Sequence, residues 1–324
     1  MRYETLFEAD FEHENPLLNL ALQHIRKRQG KRLRPVLMLL VARAFSEPDD
    51  RVLHASVSIE ELHTASLVHD DIVDESDQRR GQASVNALLS AQAAVLVGDY
   101  LLSKSLQHSA STKSLKVVDN IAIIGQLLAD GELLQLYNIS SDVIAEEPYF
   151  DVIRRKTASL FRSSAQIGAL LSGASQEQQE AMRLYGEYLG VCFQIRDDIF
   201  DYEANIHMGK PIGNDMREGK LTLPVIHALL SAEQDVSAGS ASSGLRDSLS
   251  SMHNLAMKVR KLEATEQEMD QLVRFAIEQG GIEYAYSKME EFAKKATAQL
   301  ALLPDSDCKE SLRRLAEFVI LRKL

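Results

Sequence analysis

Apolar residues recur at three- and four-residue intervals along most of this 324-residue chain, in segments longer than ordinary strands. Val/Ile-rich alternating stretches between turn signals are scarce, so the pattern points to an all-α fold. The periodicity predicts helices at 16–27, 32–45, 51–76, 84–108, 113–138, 148–172, 176–203, 221–233, 246–260, 265–279, 283–300 and 306–321. Ser84 is placed to cap the helix after Gly81, Ser175 with Gln178 has the spacing of a capping box, and Pro148 sits near a first turn, where its missing N–H is tolerated. Two stretches interrupt the pattern. SAGSASSG, 237–244, reads as a mobile surface connection, and NIHMGKPIGNDMREGK, 205–220, as a long charged loop of the kind that usually carries function.

Composition bounds what such a chain can do. With 45% hydrophobic and 26% charged residues it can bury a substantial core, and a single domain over 1–324 is the expected organisation. A net charge of −11 excludes the basic phosphate-facing surface that non-specific nucleic-acid binding needs. Small phosphorylated ligands remain open to it, because divalent ions bridge carboxylates to phosphate. Cys192 and Cys308 have no nearby partner at metal-ligand spacing and read as small buried side chains in a reducing compartment. The acidic start lacks a basic segment followed by an apolar run, and no 18 apolar residues run uninterrupted. A cytoplasmic protein is expected, with transient membrane association if its product is greasy.

Two acidic clusters echo each other. Asp70, Asp71 and Asp74 lie in SLVHDDIVDE, and Asp197, Asp198 and Asp201 in FQIRDDIFDY. In a helix the first and last acid of each cluster share a face at i,i+4 while the middle one is turned partly aside; like charges at that spacing call for a compensating cation. Both clusters follow apolar runs, IEELHTASLV and YLGVCFQI, so the acids stand near a low-dielectric wall, where hard oxygen ligands suit Mg²⁺. A solvated acidic face explains either cluster alone; the pair favours metal.

Basic residues supply the complement: Lys31, Arg32 and Arg34 in GKRLRP, Arg79 and Arg80 after the first cluster, Lys156 beside Thr157, then Lys210 and Lys220. Each alone reads more readily as a solvated surface side chain. As a set, near cluster boundaries and glycine turns, they suit diphosphates, whose charge is spread over several oxygens. One diphosphate held through Mg²⁺ and another held directly by lysine and arginine would use every piece.

These motifs, in the order GKRLRP, ELHTASLVHDDIVDESDQRRG, DGELLQL, RRKTASLF, YGEYLGVCFQIRDDIFDY and GKPIGNDMREGKLTLP, resemble those of the trans-polyprenyl diphosphate synthase family across most of the chain. The resemblance implies the isoprenoid synthase fold, an antiparallel helical bundle around a deep apolar cavity, commonly in homodimers. It implies three Mg²⁺ ions per active site. Asp70, Asp74 and Asp197 would be direct ligands, Asp71 would complete the polar site, and Asp198 and Asp201 would act directly or through water. The allylic diphosphate would meet Arg79, Lys156, Lys210 and Lys220; isopentenyl diphosphate would meet Lys31, Arg34, His63 and Arg80. His63 read by itself is more readily a satisfied, partly buried histidine. Thr157 and Gln194 would orient polar groups and help stabilise a carbocation formed when the allylic C–O bond ionises. Water must be kept from that cation, and the 205–220 loop, with Lys210, Asp215 and Lys220, is the expected lid.

Product length would follow from cavity depth. Ala65 lies five residues before Asp70, about 7.5 Å down the helix, and Ala65 and Ser66 leave space where shorter-chain members of the family often place aromatic bulk. A product beyond farnesyl or geranylgeranyl diphosphate is therefore expected, with Leu62, Ile123, Ile124 and Leu127 as residues able to close the path. Two rivals remain. A terpene cyclase usually carries an Asn/Ser/Glu second motif, which this chain lacks; an inactive helical interaction subunit is disfavoured by the intact acidic and basic sets.

Overall fold

The computed structural model describes residues 2–27, 30–79, 81–208, 214–239 and 243–321, and among them all regular structure is helical except one two-stranded hairpin. In chain order the elements begin with α1 (Arg2–Ala9), α2 (Pro16–Arg26), α3 (Leu33–Phe45) and α4 (Asp50–Val73). The strands β1 (Gln78–Arg79) and β2 (Gln82–Ala83) follow, then α5 (Val85–Leu88), α6 (Ala91–Ser111) and α7 (Leu115–Ser140). Next come α8 (Glu146–Ile153), a π-helical turn (Arg154–Ala158), α9 (Ser159–Leu171), α10 (Gln176–Met208) and α11 (Asn214–Arg217). The chain ends with α12 (Leu223–Ala238), α13 (Ser243–Arg260), α14 (Glu266–Glu278), α15 (Gly281–Gln299), a 3₁₀ turn (Leu300–Leu302) and α16 (Asp307–Leu321).

These elements divide into two compact units, the first made of Met1–Leu128, Ser159–Glu187 and Ala298–Arg314. Its centre is α4, packed against α6, α3, α1 and α9. Asp49 starts α4 by accepting from the Arg51 and Val52 amides, so the helix enters the core with its first N–H groups satisfied. Apolar residues on opposite sides of α4 feed two clusters. Val57, Ala65 and Val68 join Phe7, Phe11, Leu22 and Leu101, whereas Ile59 and Leu62 join Met38, Ile121, Ile124 and Ile167. Helices α3 and α9 approach at backbone distance: a Cβ on Gly168 would stand 2.6 Å from the Met38 carbonyl oxygen, so only glycine fits there.

The second unit comprises Ala129–Ala158, Tyr188–Thr297 and Leu315–Leu324. Its core is built by α12, α13 and α14, where Val225, Leu229, Ala256, Val259, Leu272 and Phe275 are buried together. Thr265 and Glu268 form a reciprocal capping box at the start of α14, and Gly239, with φ 75°, ends α12 in the left-handed region.

Most expected helices occur within a few residues of their expected ends. Ser84 does cap α5, accepting from the Ala87 amide at 3.3 Å, and the Ser175–Gln178 box forms in both directions, at 2.9 and 3.2 Å. Three expectations need correction. The helix expected over 84–108 is broken after Leu88, because Ser90 caps a new helix by accepting from the Ala93 amide. The stretch 237–244 is mostly helical at its ends, since α12 runs to Ala238 and α13 starts at Ser243. The 205–220 loop is likewise shortened, by α10 reaching Met208 and by α11; its centre, with Lys210, lies outside the described residues.

Candidate active site

The first acidic motif closes α4 in the first unit. The helix ends at Val73, and the Asp74 amide still donates to the Asp70 carbonyl at 2.8 Å, which preserves the i,i+4 relation of the two half-buried acids. Asp71 is turned inward, 2% exposed, and accepts from Arg79 Nε at 2.5 Å. The hairpin makes that pairing possible: Gly81, at φ 74°, reverses the chain and Gln78 pairs with Ala83. Asp71 thus holds Arg79 at the motif's edge. Arg80 lies outside the described residues.

One further contact fixes the motif's approach. His69 lies against α6 so closely that a Cβ on Gly98 would stand 2.2 Å from its Nε2, and that nitrogen is 3.2 Å from the Val95 carbonyl and 3.5 Å from an Asp99 carboxylate oxygen. Elsewhere in this unit Lys31 is exposed, Arg32 adopts φ 48° at the start of α3, and the half-buried Arg34 guanidinium lies 5.0 Å over the Phe161 ring. His63 is half-buried, and its carbonyl accepts from Ser66 Oγ at 2.9 Å. Leu62 shares a cluster with Ile124, while Ala65 belongs to the other side of α4. Ile123 is 39% exposed against 0% for Ile124, since one step of about 100° separates them around α7.

Asp198 of the second motif lines a cavity of about 200 Å³ within the second unit, together with Lys156, Thr157, Gln194, Asp215 and Lys220. Lys156 and Thr157 project from the π-helical turn, a wider winding than the α-helix and frequent at functional sites. Lys156 Nζ is paired with Glu132 and reaches Gln135 Oε1 at 3.3 Å, both from one face of α7. A hydrogen-bonded series then crosses the cavity wall. Tyr149 Oη donates to Asp198 Oδ2 at 2.6 Å, Gln194 Nε2 donates to Asp198 Oδ1 at 2.9 Å, and Thr157 Oγ1 donates to Gln194 Oε1 at 2.7 Å. The polarity is dictated from one end. With its amide nitrogen committed to the carboxylate, Gln194 can only accept from Thr157, so the threonine hydroxyl turns lone pairs toward the space around it. That is an acceptor surface suited to a developing positive charge.

The acids are crowded. Burial, reinforced by Asp197 and Asp201, raises Asp198 above the usual carboxylate range against the pull of its two hydrogen bonds. Burial and the charges of Asp198 and Asp201 raise Asp215 well above it, and the Asp215 amide donates to Asp201 Oδ2 at 3.2 Å. Carboxylates pressed together in this way are short of positive charge, and an all-oxygen donor set fits Mg²⁺. Lys220 Nζ is 2.5 Å from Glu218.

Tyr149, Glu132 and Gln135 were not singled out from the sequence. The spacing of Glu132 and Gln135 within DGELLQL, three apart on one helical face, was the available signal; nothing local marks Tyr149, which meets Asp198 only in the folded chain. A separate buried group, Asp10, Glu61 and His108, brings potential metal-ligand atoms within 4.8 Å of one another in the first unit.

The chain is similar to proteins of one family. A family model described as polyprenyl synthetase matches residues 15–248. The chain is 36% identical to the octaprenyl diphosphate synthase of Escherichia coli (strain K12) over 324 aligned residues, covering 94% of this chain and 90% of that protein. Among solved structures, a geranylgeranyl pyrophosphate synthase from Bacteroides thetaiotaomicron shares 42% identity at a TM-score of 0.82, covering 99% of this chain and 95% of that one. A decaprenyl diphosphate synthase from Rhodobacter capsulatus shares 33% identity at a TM-score of 0.88, with the same coverage. The all-α isoprenoid synthase fold is common to them.

Proposed function

The chain belongs to the polyprenyl synthetase family, and from that premise we propose that it builds an all-trans polyprenyl diphosphate longer than geranylgeranyl diphosphate, as a cytoplasmic homodimer with one synthase domain over 1–324. The reaction class is that of a Mg²⁺-dependent trans-prenyltransferase: isopentenyl diphosphate is joined head to tail to an allylic diphosphate and diphosphate is released. The observation that carries the site assignment is the series Tyr149–Asp198–Gln194–Thr157 running beside Lys156 in one cavity.

Asp70, Asp74 and Asp197 are the assigned ligands of three Mg²⁺ ions, with Asp198 and Asp201 supporting them. Bound Mg²⁺ supplies charge stabilisation for a departing diphosphate. This chain's own residues do the rest. Lys156, with Arg79, Lys210 and Lys220, neutralises the allylic diphosphate, and Lys156 must exchange Glu132 for a phosphate oxygen to do so. Thr157, oriented through Gln194, turns oxygen lone pairs to the allylic cation, so the hydroxyl helps most once charge has developed. Lys31, Arg34, His63 and Arg80 hold isopentenyl diphosphate by direct ion pairs. The homoallylic double bond attacks the cation, and a proton leaves to the released diphosphate.

The small Ala65 and Ser66 below the first motif support a long product, as does similarity to proteins described as octaprenyl and decaprenyl diphosphate synthases. A shorter, geranylgeranyl product is the second reading, favoured by similarity to the Bacteroides thetaiotaomicron synthase. Exposed apolar side chains on α6, Val95, Leu96 and Leu106, and on α7, Leu133, Leu136 and Tyr137, support self-association. No described helix is long and apolar enough to cross a membrane; contact with one is assigned only to release of a greasy product. Incubation of the purified protein with Mg²⁺, labelled isopentenyl diphosphate and farnesyl diphosphate tests the reading. Products longer than geranylgeranyl diphosphate are expected; a stop after one addition selects the second reading, and no product with any allylic primer from a folded protein overturns both.

A further inference from the structure

A buried polar cluster stands apart from both acidic motifs. Asp10 follows α1, Glu61 lies midway along α4, and Lys104 and His108 sit one turn apart on α6. Asp10 is 7% exposed, His108 7% and Glu61 0%. His108 Nε2 is 2.6 Å from Asp10 Oδ2, and Lys104 Nζ is paired with the other Asp10 oxygen. Both Glu61 carboxyl oxygens are buried, are reached by no donor and point into this cluster, where the protonated carboxyl has Asp10 as its acceptor. Two buried carboxyl groups therefore share one lysine, and in metal-free protein the second stays uncharged by keeping its proton.

We propose that Asp10, Glu61 and His108 form a second cation site, for a borderline divalent transition metal such as Zn²⁺, which ties the segment after α1 to α4 and α6 and which Lys104 fills when the metal is absent. Three arguments carry it. The donors are two carboxylates and one imidazole, a set that suits Zn²⁺ or Co²⁺, whereas a nitrogen donor disfavours Mg²⁺. His54 Nδ1 lies 2.8 Å from His108 Nδ1, so when His108 carries its proton there, His54 accepts it and the Nε2 lone pair is directed at Asp10's side of the cluster. The third argument is charge. A divalent ion takes the place of the Glu61 proton and neutralises both carboxylates at once, while the Lys104 side chain, 24% exposed, has a route to solvent. No catalytic residue assigned above takes part, so this site and the reading of the reaction stand or fall separately.

The test uses full-length protein stripped with chelator and returned to excess Mg²⁺, which occupies the aspartate motifs, followed by titration with Co²⁺ as a spectroscopic probe. A visible d–d absorption of one tightly bound Co²⁺ per chain, displaced by Zn²⁺ and accompanied by a rise in Tm, is expected. Glu61→Gln and His108→Gln should each weaken Co²⁺ binding about tenfold or more. Lys104→Met should tighten it about tenfold by removing the competing cation, an outcome that a generally damaged core cannot produce. Asp70→Asn should leave the absorption unchanged. The proposal is overturned if Co²⁺ binds equally to the Glu61→Gln protein, if Lys104→Met fails to tighten binding, or if Asp70→Asn abolishes the signal.

Discussion

Glu61 offers a measurement in which a single proton is the variable. Burial first, and then the neighbouring Asp10 charge, raise its carboxyl from 4.5 to about 10. A value raised on folding means that the folded chain keeps the proton through the neutral range while the unfolded chain gives it up. The contribution of this group is thus fully present below pH 4.5 and is lost as pH rises, until it levels off near 10. In metal-free protein at pH 7, about two and a half units above the ordinary value, the lost stability is about 3 kcal/mol at about 1.4 kcal/mol per unit. Glu61→Gln keeps the shape and removes the titration. Urea unfolding in chelator, followed by circular dichroism at fixed protein concentration, should show the variant about 3 kcal/mol more stable than the parent at pH 7 and equal to it near pH 4, with the gap growing steadily between. A difference that does not change with pH would refute the reasoning, because it would assign the effect to shape or solvation rather than to the proton.

Three further outcomes follow from the site. Tyr149→Phe removes a hydrogen bond to a buried carboxylate worth about 1.5–3 kcal/mol, and since the bond acts through Gln194 and Thr157 it should lower kcat about tenfold or more with little change in KM. Gly98→Ala should raise the Mg²⁺ concentration needed for half-maximal activity, because the new methyl displaces His69 one residue ahead of Asp70; the double change with His69→Ala should restore it to the level of His69→Ala alone. Chelation of Mg²⁺ should abolish prenyl transfer and lower Tm by more at pH 8 than at pH 6, since Asp198, raised on folding, binds metal only once its proton has left.

Much of this was legible in residue order because it is local. Ser84 and Ser175 cap helices through groups three residues away, and the acidic motifs declare themselves by i,i+4 spacing. What was missed depends on distance along the chain. The partition of Ala65 and Leu62 between two clusters follows from which helices flank α4, and periodicity alone does not specify a neighbour. That Asp71 also holds Arg79 emerges only once the turn at Gly81 brings Arg79 back onto it. The Tyr149 partner of Asp198, 49 residues away in the chain, has no local signal either. The winding of 154–158 escaped for another reason: a π turn and an α-helix share the same apolar pattern over five residues.

The contact between His69 and Gly98 has an evolutionary reading as well as a mechanical one. An imidazole that occupies the volume of a missing methyl makes the two positions a single heritable character. Among descendants of this sequence, a side chain at 98 should be found only where 69 has become smaller, and a lone change at 98 should persist only in chains that have given up the metal chemistry of the first motif.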